Sequence, residues 1–106
     1  MPFGIDDLAA ILASWAFKQV VKSVVKGFIH RQALKTLKKN YNQLEDKRRR
    51  PGPMMRKMIE AMENNDMSLA RHYARKVADE ALADSDLSKY IDSSTWDFLA
   101  GAAECL

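Results

Sequence analysis

The sequence KQVVKSVVKGFIHRQ, residues 18–32, decides how the N-terminal half of this chain folds. Its lysines stand four residues apart, at Lys18, Lys22 and Lys26, and pairs of valines separate them. Because an α-helix turns once in about 3.6 residues, this spacing predicts a helix with an apolar face and a lysine stripe. Gly27 follows the last lysine, and glycine lowers the stability of a helix by about 1 kcal/mol relative to alanine. The segment therefore contains a strong helix and a candidate break.

The apolar face changes direction twice between residues 8 and 44. The apolar side chains of residues 8–15 and 34–44 share one helical angle, and those of residues 20–28 lie nearly opposite. One straight helix of about 40 residues would be about 60 Å long, too long for a compact chain whose radius of gyration is near 13 Å. Either the helix breaks near residues 27–31, or one continuous helix packs against different neighbours on alternate sides. Residues 8–17 are apolar almost all round, and for this segment we favour contact with another copy.

Two aspartates precede the apolar residues of this helical arm, and either Asp6 or Asp7 is the expected N-cap. The arm ends at RRRPGP, residues 48–53, because proline disfavours helix at the residue before it and glycine permits a turn. We therefore predict one domain with two parts, an apolar and basic helical arm over residues 1–50 and a C-terminal part over residues 51–106.

The C-terminal part is predicted to be a helical hairpin followed by a short helix. Pro53 suits the first position of the next helix, and a stripe of methionines continues it to the turn ENND, residues 63–66. Asp66 can cap the second helix of the hairpin, and Ser94 with Asp97 resembles a capping box for the last one. Since no apolar run alternates with a period of two, the fold class is all-α.

The segment MIEAMENNDMSLARHYARKVADEAL, residues 58–82, resembles the paired helices of tetratricopeptide-type repeats. Together with the lysine-rich helix before it, the segment also resembles the helical hairpin of ESCRT-III membrane-remodelling proteins. The resemblance implies a hairpin of closely packed helices and carries no function.

Charge is strongly segregated along the chain. Residues 18–57 hold thirteen basic side chains against two acidic ones, whereas residues 58–106 hold ten acidic against four basic ones. Uncompensated cations repel each other unless an anion approaches. The excess of basic residues in the arm therefore predicts a polyanion-binding surface. Its residues are Lys18, Lys22, Lys26, Arg31, Lys35, Lys38, Lys39, Lys47, Arg48, Arg49 and Arg50.

The changing apolar face also predicts a self-association surface, since more than one packing partner would cover it. The residues expected to join copies of the chain are Leu8, Ile11, Leu12, Trp15, Phe17, Val20, Val21, Val24, Val25 and Phe28. We expect a homo-oligomer.

The sequence lacks the usual signatures of catalysis, cofactors and metal binding. Its four glycines are isolated and cannot form a phosphate-binding loop, and the two histidines have no ligand spacing to each other or to Cys105. We predict no enzyme, no cofactor and no metal. A transmembrane helix is not expected either, because the longest uncharged stretch, residues 8–17, is about half of the roughly 20 residues a membrane span requires. A signal peptide is not expected because Asp6 and Asp7, and not basic residues, precede that stretch.

The leading functional hypothesis is a structural or assembly protein, such as a virion or nucleoid component. It self-associates through its apolar arm and binds nucleic acid without sequence specificity, in the cytoplasm or in a virion. One alternative is a peripheral protein that binds an anionic membrane surface through a cationic amphipathic helix. The other is a helical protein–protein adaptor. DNA, RNA and lipid all remain open as the anionic partner, as do the oligomer symmetry and the source organism.

Overall fold

A computed structural model describes residues 3–46 and 52–106, and every regular element in them is helical. The elements are α1 (Phe3–Ala13), α2 (Trp15–Lys26), α3 (Arg31–Asp46), α4 (Pro53–Glu63), α5 (Met67–Ala83), a single 3-10 turn (Leu87–Lys89) and α6 (Ser93–Cys105). No strand occurs in the described ranges, and the predicted all-α class is confirmed.

Between residues 3 and 46 the N-terminal arm forms three helices. The alternative prediction, one continuous helix packed against different neighbours, is therefore wrong. The first break lies at Ser14, whose hydroxyl donates to the Ile11 carbonyl at 2.7 Å and accepts from the Phe17 N–H at 3.1 Å. The second lies at Gly27, which adopts a left-handed φ of 82°. The predicted break near residues 27–31 is thus confirmed, whereas the one at Ser14 was missed although serine is a favoured N-cap.

Two predicted helix starts are wrong. Helix α1 already begins at Phe3, so the backbone at Asp6 and Asp7 lies inside it. Helix α6 is capped by Asp92, whose carboxylate accepts from the Thr95 N–H at 2.6 Å, so the expected box of Ser94 and Asp97 is not the cap. Several neighbouring residues could cap each helix, and the local sequence does not say which one the packing selects.

The hairpin has the predicted form. Pro53 is the first residue of α4, and the Asp66 carboxylate caps α5 by accepting from the Leu69 N–H at 3.2 Å. The methionines Met55, Met58 and Met62 point into the core between α4 and α5. The predicted boundary at residues 50 and 51 lies outside the described residues.

One hydrophobic core joins the two halves of the chain. It takes Leu12 from α1, Phe17 and Val20 from α2, Met58 from α4 and Leu99 from α6, together with residues of α3 and α5. Helix α2 packs against α3, α5 and α6. The radius of gyration of 12.5 Å is close to the value expected for a compact chain of this length, so the arm is part of the bundle.

The same substitution at two glycines should have opposite effects on stability. Gly27 needs a left-handed backbone, which costs an ordinary residue about 1–2 kcal/mol. Gly101 lies inside α6, and a Cβ there would meet no atom within 4 Å. We expect Gly27→Ala to lower the free energy of unfolding by about 1 kcal/mol and Gly101→Ala to raise it by about 0.5–1 kcal/mol. Urea unfolding measures both. A stabilising Gly27→Ala would contradict the placement of the turn.

Candidate functional site

Helix α2 has two chemically different sides. Its buried side carries Phe17, Val20 and Val24, each almost fully enclosed by the rest of the chain. Lys22 and Lys26 follow Trp15 by seven and eleven residues, which is about two and three turns of helix. The three side chains therefore share the exposed side. The turn after α2 adds Phe28. Trp15 is 58% exposed and Phe28 is 52% exposed, so both rings present much of their surface to solvent.

Most of the residues expected to join copies of the chain lie in its own core. Buried there are Ile11, Leu12, Phe17, Val20, Val21 and Val24, and Leu8 packs against them half-buried. The exposed remainder is Trp15, Val25 and Phe28. The breaks at Ser14 and Gly27 turn each apolar face toward the same core, so the change of phase does not require a second copy. Self-association itself stays a prediction.

The cationic face consists of Lys22 and Lys26 on α2 and of Arg31, Lys35 and Lys39 on α3. All five side chains are exposed, and the two helices are neighbours joined by a short turn. On α3 the three cations recur every four residues, so they follow one side of the helix. No ion pair links any of the five to a carboxylate of the described residues.

Other predicted polyanion-binding residues differ in their surroundings. The Lys38 ammonium lies 2.8 Å from a Glu63 carboxylate oxygen, a pair that joins the basic and acidic parts of the chain. Lys18 is half-buried and lies near Asp92, a residue of the C-terminal part of the chain. The cluster Lys47, Arg48, Arg49 and Arg50 lies outside the described residues. Five of the predicted cations are thus exposed on the neighbouring helices α2 and α3, and two others have carboxylate neighbours.

The pKa of Asp92 lies below its usual range. The main cause is the hydrogen bond from the Thr95 backbone N–H, which stabilises the carboxylate form. The positive charge of Lys18 acts in the same direction, and desolvation opposes both. Lys18 therefore has a carboxylate in its surroundings and is half-buried, whereas Lys22 and Lys26 are exposed.

An apolar groove runs between α2 and α6. Its volume is about 300 Å³, and its lining residues are Val21, Lys22, Val25, Lys26, Phe98, Gly101, Ala102 and Cys105. The Lys22 ammonium lies 6.0 Å from the centre of the Phe98 ring, at the edge of the groove. This groove was not predicted from the sequence, because its two walls come from residues about eighty positions apart in the chain. The only local signal was the run of small residues GAA in α6.

The histidines have aromatic neighbours. The His30 ring meets Trp15 edge to face with centroids 6.0 Å apart, and His72 meets Tyr73 in the same way at 5.2 Å. No group of three or more metal-ligating side chains occurs within residues 3–46 and 52–106. Across the same ranges, no helix combines the length and the hydropathy that a bilayer crossing requires.

Comparison with known proteins finds no matching family model, no matching curated protein and no matching solved structure. What the site can bind therefore has to follow from its own side chains. These offer an exposed set of cations, three exposed apolar side chains beside them and the groove between α2 and α6.

The cap at Asp92 predicts a pH-dependent contribution to stability. Asp92→Ala should lower the melting temperature, since the Thr95 N–H loses its acceptor, while Asp92→Asn should retain most of the cap because asparagine also accepts. The carboxylate's pKa is lower in the folded chain than the ordinary 3.8. Its contribution should therefore be complete above about that pH and disappear as the pH falls through the lower folded value.

Thermal unfolding followed by circular dichroism, from neutral pH to below the folded pKa, tests this cap. The melting-temperature difference between the natural chain and Asp92→Asn should shrink on acidification. A difference that is constant across this range would contradict a charged cap.

Proposed function

We propose that this chain is a non-enzymatic protein that binds the phosphate backbone of nucleic acid through its cationic face, as a virion or nucleoid component does. The observation that carries the proposal is the set Lys22, Lys26, Arg31, Lys35 and Lys39, exposed on adjacent helices and without ion pairs to described carboxylates. Like charges one turn apart on a helix are mutually destabilising by a few tenths of a kcal/mol. A polyanion removes that repulsion.

The mode of binding follows from the kind of side chain involved. Lysine and arginine contacts to phosphates hold a protein on nucleic acid and carry no sequence information. Each neutralised phosphate releases counterions, which makes the affinity steeply dependent on salt. Self-association would use the exposed Trp15, Val25 and Phe28. Several joined copies on one strand would bind with an avidity well above the affinity of a single copy.

Salt dependence is the first test of this proposal. If all five cations contact phosphates, the slope of log affinity against log salt should be about −4 to −5, a loss of a few hundred-fold between about 50 and 200 mM salt. Fluorescence anisotropy with short labelled duplexes of DNA and RNA measures it. A flat salt profile would rule out the proposed contacts.

Charge-removal variants locate the contact. The triple variant Arg31→Gln, Lys35→Gln and Lys39→Gln should reduce the slope by about 2.7. The matched control, Arg75→Gln, Lys76→Gln and Lys89→Gln, removes the same charge from another part of the surface and should leave the slope nearly unchanged. Equal losses for the two variants would mean that net charge, and not this face, attracts the nucleic acid.

One observation favours a second candidate, an anionic membrane surface. Trp15, Val25 and Phe28 are exposed beside Lys22 and Lys26, the combination of apolar and cationic groups that lies in a lipid interface.

With Trp96→Phe as background, Trp15 fluorescence should shift to the blue on adding anionic vesicles. Lys22→Glu with Lys26→Glu should abolish the shift. An unchanged emission spectrum with these vesicles would exclude this candidate.

A further inference from the structure

The groove between α2 and α6 has walls of hydrocarbon. On α2 the wall consists of Val21, Val25 and the stems of two lysines, and on α6 it consists of Phe98, Gly101 and Ala102. The volume of about 300 Å³ lies at the lower end of the range for small-molecule sites, about 300–1,000 Å³. The groove exists because α6 presents small residues to α2, and a Cβ at Gly101 would meet no atom within 4 Å.

Positive charge lies at the edge of this groove. Lys22 and Lys26, one helical turn apart, both border it, and neither is ion-paired with a described carboxylate. The Lys22 ammonium is held over the Phe98 ring, 6.0 Å from its centre, a geometry in which the ring face attracts the cation. An apolar recess bordered by ammonium groups is complementary to a molecule with an apolar body and an anionic head.

We propose that the groove binds a free single-chain anionic amphiphile, with its hydrocarbon chain between α2 and α6 and its anionic group beside Lys22 and Lys26. The binding site is separate from the cations of α3 and does not depend on nucleic-acid binding.

The dimensions of the groove favour a single chain over larger partners. Its α6 wall runs from Phe98 to Cys105, about 10 Å at 1.5 Å per residue. An α-helix with its side chains is about 10–12 Å across, so a partner helix would lie over a groove of this volume and not inside it. A bilayer surface would meet the protruding Trp15 and Phe28, which do not line the groove.

The test uses the full chain with decanoate as the probe, kept below its micelle concentration and followed by titration calorimetry. Exposed Cys105 at the groove supplies a second readout, its rate of reaction with a thiol reagent. We expect decanoate to bind and to slow that reaction. Shortening the chain by two methylenes should weaken binding roughly tenfold, and 1-decanol, which lacks the charge, should bind several-fold more weakly.

Two sets of variants separate the groove from general hydrophobic or charge effects. Gly101→Leu places a side chain in the groove and should abolish decanoate binding without lowering the melting temperature. The matched control Ala100→Leu adds the same side chain at an exposed neighbour that does not line the groove, and should bind normally. Lys22→Gln with Lys26→Gln should reduce decanoate binding to the level of decanol and leave decanol binding unchanged.

Several results would overturn the proposal. They are an absence of decanoate binding to the natural chain, equal binding by Gly101→Leu and Ala100→Leu, and tighter binding of an acidic amphipathic peptide or of anionic vesicles at the same residues. The Gly101→Leu variant should retain its affinity for duplex DNA, and the α3 triple variant should retain its affinity for decanoate. The failure of either proposal is thus distinguishable from the failure of the other.

Discussion

The fold depends on the turn at Gly27. The left-handed glycine ends α2, its N–H donates to the Val24 carbonyl at 3.2 Å, and the Phe28 N–H donates to the Ser23 carbonyl at 3.0 Å. These bonds satisfy carbonyls that a helix end leaves without partners. The Arg71 guanidinium donates to the same Val24 carbonyl at 3.3 Å, which ties α5 to this helix end. Because the chain reverses here, α3 can pack on α2, and the long helical rod is avoided.

The reversal determines what each side of α2 does. Its valine side has to be covered, and α3, α5 and α6 cover it within one molecule. The side that remains outside carries Lys22, Lys26 and Trp15. Helix α3 begins just after the turn with Arg31 and carries its own exposed cations on the helix next to α2. Burying the valines therefore leaves Lys22 and Lys26 on the outside of α2.

The two proposed ligands share a chemical requirement and part of a surface. Both carry negative charge, and Lys22 and Lys26 lie at the meeting point of the cationic face and the groove. The amphiphile needs the recess beside them, while the nucleic acid needs the arginine and lysines of α3. Occupation of the groove would place a negative charge beside two of the five cations, and a steep salt dependence makes nucleic-acid affinity sensitive to such a change.

Three features can be read from the amino-acid sequence alone: the helical class, the hairpin of α4 and α5 with its Pro53 start and Asp66 cap, and the segregation of charge. These features depend on residues within a turn or two of each other, where periodicity and capping act. Three other features required the folded chain: the apolar faces of the arm meet one internal core, Lys38 pairs with Glu63, and α6 forms a groove with α2. The periodic spacing of apolar residues indicates which face of a helix is buried. It does not indicate which side chains cover that face, because these come from distant parts of the chain.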